Sequence, residues 1–296
     1  MVISFRKNIK AGTKRFYLRI YIVKDTTFDS MGGLKMKASK IFIVLMLAVP
    51  VFSLAQNRVQ AEDIIDQINA GQDVSYKDVV IVGDLDFRTL DDVTADKPLR
   101  KSRIGRLSTQ SYSCHVRSSL SFIDCTFKGD VLAYIHIDKK NDTYNAVFYE
   151  DVDFEGCEFE KASAFKYAKF LKEANFVNTS YEEEALFKYA KFSTDVSFQD
   201  SNFKNDANFK YTKFPEAVDF KQTIFRDYAN FKYAKFPEGV SFEDAEFQGN
   251  ADFKYTKFSE PLNLDGVEFE GDANFKYTKI DGHSFTSYLI KNKRRP

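Results

Sequence analysis

FKYAKF stands at residues 165–170, 187–192 and 231–236, FKYTKF at 209–214 and 253–258, and FKYTKI at 275–280, so that each copy starts 22 residues after the last. Within every 22-residue unit a large apolar residue recurs at alternating intervals of five and six, as in Phe198, Phe203, Phe209, Phe214, Phe220 and Phe225. The series runs from Phe154 to Ile280, with Tyr181 and Leu264 standing in for Phe. A helical period of 3.6 would scatter these residues around the axis, and a strand period of two would need more apolar positions. A chain that turns a corner every five or six residues accounts for both intervals. The residue two before each large one is almost always small or β-branched, as in Ala207, Thr212, Val218 and Thr223. One small and one large inward position then make a face, and four faces make one coil of 22 residues.

Units such as ANFKY (207–211 and 273–277), ADFKY (251–255) and TKFPE (212–216) resemble the pentapeptide-repeat family, in which a small residue, Asp or Asn, and Leu or Phe are followed by two polar positions. The resemblance covers residues 116–127 and 146–280. It implies an all-β fold, a right-handed quadrilateral β-helix. Phe in place of Leu predicts a broader interior, and the sixth residue at alternate corners a rectangular cross-section. Coils stacked about 4.7–4.9 Å apart would make six units roughly 29 Å long. No unit buries its own Phe, so stability is a sum of neighbour contacts and both ends need caps. Of the 31 Phe, 24 lie on this ladder between Phe122 and Phe275 and are read as core.

Outside the repeat the chain divides as follows. Residues 1–35 read as an upstream extension of the reading frame with the start of a charged n-region, Met31 and Met36 offering later starts. Residues 36–55 read as a signal peptide, with Lys37 and Lys40 before the apolar run Ile41–Ala55 and Ser53-Leu54-Ala55 as cleavage signature, cut near Ala55/Gln56. Fifteen residues broken by Pro50 fall short of a bilayer span, which needs about 20. The alternative is an uncleaved anchor formed by 41–55. Residues 56–73 hold a short amphipathic capping helix, with Ile64, Ile65 and Ile68 at helical spacing and Gly71 as its stop. The β-helix then occupies 74–280, interrupted by a charged loop at about 88–113 and an irregular stretch at about 128–147. Residues 281–296 form a C-terminal cap with a basic tail.

Composition excludes several classes of function. The 43 basic and 43 acidic residues balance, but ten basic and two acidic ones lie in 1–55, which leaves 33 against 41 in the remainder. His115, His136 and His283 cluster with no nucleophile or metal-ligand pattern, and there is no Gly-rich phosphate loop. The expectation is a non-enzymatic protein without cofactor or metal. Cys114, Cys125 and Cys157 occupy the small inward slot, where a buried thiol acts as a small hydrophobe; an oxidised pair, with Cys114 and Cys125 the foremost candidates, is the alternative.

The distinctive surface feature follows from the repeat. Lys166, Lys188, Lys210, Lys232, Lys254 and Lys276 should form one outward column, and Lys169, Lys191, Lys213, Lys235, Lys257 and Lys279 a second. Tyr167, Tyr189, Tyr211, Tyr233, Tyr255 and Tyr277 run between them. Stacked like charges are unfavourable and need compensation. It could come from Glu216, Glu238 and Glu260, or from an anionic ligand with its rings on the tyrosines and its acid groups on the lysines. The leading expectation is an exported module that presents this surface to a protein or anionic glycan of the cell envelope, with no nucleic acid and no permanent membrane span. The alternative, which the resemblance implies, is a DNA mimic that binds topoisomerases such as gyrase. An exported chain would not meet gyrase, and twelve lysines on one side spoil a phosphate-like potential.

Overall fold

The computed structural model describes residues 57–96 and 110–292, with side chains as far as Tyr288. The stretches read as an upstream extension and as a signal peptide with its cleavage point, and residues 97–109 of the charged loop, lie outside the described residues. The repeat folds as its spacing requires. Each coil contributes two-residue strands, such as Val196–Ser197, Asn202–Phe203 and Ala207–Asn208, to successive faces. Every strand pairs in parallel with its equivalent 22 residues on: Val196 with Val218, Asn202 with Ile224, Ala207 with Ala229. The first, second and third faces are sheets of eight, nine and eight strands. The fourth is two sheets, one reaching Lys191–Phe192 and the next starting at Lys235–Phe236, joined through single bridges at Lys213. The chain is an all-β quadrilateral β-helix with a short helix near its N-terminal end.

The strands are short because each five-residue interval closes in a tight corner with one residue in the left-handed region. At the corner between the first and second faces these residues are Asn178, Asp200, Gln222 and Asp244, with φ of 54–57°, and Gly156 and Gly266. Small amides, acids and glycine reach that region at least expense. The inward positions fill the interior. Phe198, Phe209, Phe220 and Phe231 are fully buried. Each stacks on its equivalent in the next coil, Phe209 on Phe231 with centroids 5.1 Å apart, and meets its neighbour across the coil edge-on, as Phe198 meets Phe209 at 81°. Both geometries suit the ring quadrupole. The small slots also satisfy buried carbonyls: Thr212, Thr223 and Thr256 donate to the carbonyls of Phe187, Phe198 and Phe231 at 2.7–2.8 Å.

Both ends differ in detail from the sequence reading. Helix α1 (Ala61–Asn69) buries Ile64, Ile65 and Ile68 on the first coil. An unforeseen strand, Arg58–Gln60, precedes it and pairs with Val80–Val82. The stretch read as irregular is a hairpin: Tyr134–Ile137 runs antiparallel to Asp142–Phe148, which in turn pairs over seven residues with Gln110–Val116. These longer strands extend past the fourth face and follow a strand period, so the five-and-six spacing vanishes there. At the far end Lys279–Ile280 turns back against His283–Ser284, and helix α2 (Phe285–Asn292) sets Phe285 on Phe275 at 4.1 Å. Phe269 in the last coil is 37% exposed, so the aromatic core ends before the ladder does. No helix among the described residues is long and apolar enough to cross a membrane.

Candidate functional site

The second lysine column is the outward row of the fourth face. Lys169, Lys191, Lys213, Lys235, Lys257 and Lys279 stand directly opposite one another in the parallel register. Phe170, Phe192, Phe214 and Phe236 beside them point inward and are buried, so the alternation of the strand forces the ammonium groups out. Lys169 is half-buried and the other five are exposed. None of the six ammonium groups forms an ion pair or hydrogen bond among the described residues. Glu216, Glu238 and Glu260, the carboxylates expected to balance them, make no ion pair with this column. They sit beyond the following corner, and the row beside the lysines is Leu171, Ser193, Pro215, Pro237 and Ser259.

The first column is different. Lys166, Lys188, Lys210 and Lys254 each hold their ammonium 5.3–5.4 Å from the centroid of the following tyrosine, and Lys276 lies at 5.1 Å from Tyr277. Lys232 instead pairs with Asp252 at 3.4 Å. Lys166 also donates to the phenol oxygen of Tyr134 at 3.0 Å. Partial burial, then repulsion from Lys210 and Lys166, pulls Lys188 below the usual lysine range. The two columns that look alike in sequence are therefore unlike: one is held by the protein's own groups and the other is open.

Between them the tyrosines occupy the corner that joins the third and fourth faces. All six have φ of 57–63°, the left-handed region that a bulky residue rarely adopts. Their rings form a continuous pillar, Tyr167 on Tyr189, Tyr189 on Tyr211, and so on to Tyr277, with centroids 4.6–4.8 Å apart and planes within 16°. Tyr134 of the hairpin closes one end at 5.8 Å from Tyr167. Each internal ring has both faces against its neighbours, which corrects the expectation that a ligand ring would lie on them. What the pillar offers sideways is ring edges and phenol hydroxyls. None of the six hydroxyls is hydrogen-bonded within the described residues. Pillar and open column border a groove of about 380 Å³ that runs from Tyr167 to Tyr233 along Lys191, Lys213 and Lys235.

Other candidates are internal or inert. The three cysteines are free thiols, each 1% exposed. Cys114 lies on the fourth face, and it is Cys125 and Cys157, at stacked corners, that are neighbours. Sequence reading favoured buried free thiols and gave Cys114 with Cys125 as the foremost pair of the alternative; the neighbours are instead Cys125 and Cys157. The Cys157 thiol donates to the Phe122 carbonyl at 3.2 Å. Burial pushes Cys114 up to about 12, and likewise raises Cys157. No cluster of three potential metal ligands occurs among the described residues. A groove of about 420 Å³ on the first face is lined by small and acidic side chains such as Ser197, Asp219 and Glu238, with no basic group.

Sequence reading placed the lysines and tyrosines on the surface but missed the strain and the self-stacking. The signal was available at half the repeat: eleven residues before Tyr189, Tyr211, Tyr233 and Tyr255 stand Asn178, Asp200, Gln222 and Asp244, the usual occupants of a left-handed turn position. A family model described as Pentapeptide repeats (9 copies) matches the chain in overlapping windows, residues 144–190, 165–213, 187–235, 209–257 and 231–279. Neither a curated protein nor a solved structure matches it. The repeat-by-repeat match falls on the coils that carry pillar and column, and the chain belongs to the pentapeptide-repeat family.

Proposed function

We propose that this protein is a non-enzymatic, exported binding module whose Lys-Tyr surface engages an anionic partner in the cell envelope. One observation carries the reading: six stacked lysines without an ion pair run beside six tyrosines held in a disfavoured backbone region. Each left-handed residue costs about 1–2 kcal/mol. Stacking of the rings returns about 0.5–1.5 kcal/mol per pair. The matching corner of the same coils uses Asn, Asp, Gln and Gly at that position, so the fold has an unstrained solution that this corner forgoes. Strain of this kind gathers where a surface has a task. Topoisomerase binding by DNA mimicry would instead need regular carboxylate rows. The second face, with Glu158, Ser180, Asn202, Ile224, Glu246 and Glu268 outward, supplies acid only in patches.

The test is retention of the full chain on immobilised dextran sulfate at low ionic strength. The full chain has no net charge and the variants share its basic N-terminal segment, so a difference in elution between them reports the local surface. The variant K191S/K213S/K235S should elute at clearly lower salt, and K188S/K210S/K232S close to the parent. Equal elution of the parent and the first variant overturns the proposal. Export is checked separately, by an exported-fraction mass that starts at Gln56.

A further inference from the structure

We infer that the open lysine column takes a linear uronate polysaccharide, laid parallel to the coil axis with its carboxylates on the ammonium groups and its hydroxyls toward the tyrosine edges. This inference rests on the reading of the surface as an anion site and narrows it to one ligand chemistry.

Five features select that chemistry. The column is one-dimensional and regular, with one cation per coil at about 4.7–4.9 Å. A linked pyranose advances its chain by a similar distance, so a uronate polymer laid along the column brings carboxylates within reach of the lysines at regular intervals. The cations are lysines, point charges that bind carboxylates without needing a fork. The pillar has no open ring face within its length, because each internal tyrosine stacks on both neighbours at 4.6–4.8 Å. Single-stranded nucleic acid, which binds by stacking bases on aromatic faces, finds no platform there. The phenol hydroxyls, unpartnered within the described residues, are spaced to meet a ligand rich in hydroxyls on every unit. The bordering row of Leu171, Ser193, Pro215, Pro237 and Ser259 carries no acid until Asp281 beside Lys279.

The column also has ends. Before Lys169 the outward position of the face is Val147, and after Lys279 the chain folds back with Ser284 opposite it. Six cations therefore set the length of the site, and affinity should rise with oligomer length and level off near six sugars.

The experiment titrates the full chain, at low ionic strength, with purified oligogalacturonates of two to eight sugars, carboxyl-reduced hexamer, polyphosphate and oligothymidylate of matched charge. We expect the hexamer to bind at least tenfold more tightly than the dimer, with less than a twofold gain beyond seven sugars. The reduced hexamer should not bind, and polyphosphate and oligothymidylate should bind at least tenfold more weakly than the hexamer. Y189F/Y211F/Y233F, which keeps the pillar and removes three hydroxyls, should weaken the hexamer several-fold and leave polyphosphate unchanged. Polyphosphate or oligothymidylate binding as tightly as the hexamer would overturn the uronate assignment while leaving an anion site in place. No binding of any polyanion, or undiminished binding by K191S/K213S/K235S, would overturn both.

Discussion

Position in the ladder decides what a residue is worth, even where the residue type is constant. Phe231 is fully buried, with Phe209 and Phe253 stacked 5.0–5.1 Å away on either side. Truncating it leaves a cavity that rigid neighbouring coils cannot close, so Phe231→Ala should lower the unfolding free energy by about 3–5 kcal/mol. Phe269, the same residue type on the second-face ladder with Phe225 and Phe247 but in the last coil and 37% exposed, should cost only about 1–2 kcal/mol on truncation. Denaturant unfolding of the two variants decides the matter, and equal effects would contradict the burial gradient. Three buried groups, Cys114, Cys157 and Tyr181, add a pH dependence of one sign, which Cys125, pulled down by its hydrogen bond with Cys157, opposes. Burial holds the Cys114 proton to about pH 12, against 9.0 for the free thiol, and raises Cys157 and Tyr181 in the same direction. Raised acids keep their protons in the fold and release them on unfolding, so their stability is whole below the free value and is lost above it. Stability should therefore fall from about pH 9 upward, with a slope approaching about 1.4 kcal/mol per pH unit for each such group. Urea melts between about pH 8 and pH 10, before the lysines titrate, measure it. Cys114→Ala, which puts into the slot the residue found at Ala146 and Ala168, should flatten part of the slope.

A column of identical residues behaves as one element. Lys191, Lys213 and Lys235 each face a lysine on both sides in the register, with no acid to offset them. Like charges directly opposite destabilise a ladder by about 0.2–1 kcal/mol per pair. K191S/K213S/K235S should accordingly keep its β circular dichroism and gain about 1 kcal/mol at low ionic strength, a gain that disappears near 1 M salt as screening removes the repulsion. A loss of stability, or a gain indifferent to salt, would mean that the column is structural. At this scale the sequence was legible where position in the coil alone sets the environment. Phe at five and six residues could only point inward, and the Lys between two inward residues could only point outward. It was illegible where contact depends on an element from elsewhere in the chain. That Lys166 finds Tyr134 requires the hairpin of Tyr134–Ile137 and Asp142–Phe148, which has no repeat to announce it. That the Glu216 series misses the lysines depends on which side of a corner its side chains leave, a fact of backbone geometry.

Stacking coils make the whole solenoid a one-dimensional object in which length and register are separable. Each coil has two near-equivalent halves, since intervals of five and six residues occur twice per turn and both five-residue corners carry a left-handed residue. Deleting residues 209–230 removes one full coil and returns every later residue to its own face. Deleting 209–219 removes half a coil: Phe220 then follows Asn208 in the slot of Phe209, Gln222 takes the left-handed corner of Tyr211, and Thr223 the small slot of Thr212. The core is served equally well, so both deletions should fold and unfold cooperatively with similar midpoints. A deletion of ten or twelve residues turns inward positions outward, and should not fold. The half-coil deletion nevertheless carries every later residue to the opposite side. Lys169 and Lys191 stay on the fourth face while Lys235, Lys257 and Lys279 move to the second, and the tyrosine pillar breaks after Tyr189. If the surface acts as one continuous site, the half-coil deletion should lose far more dextran sulfate retention than the full-coil deletion, although it removes fewer residues and no more lysines from the column. Equal retention by the two folded deletions would show that continuity along the axis is irrelevant and that the lysines act singly.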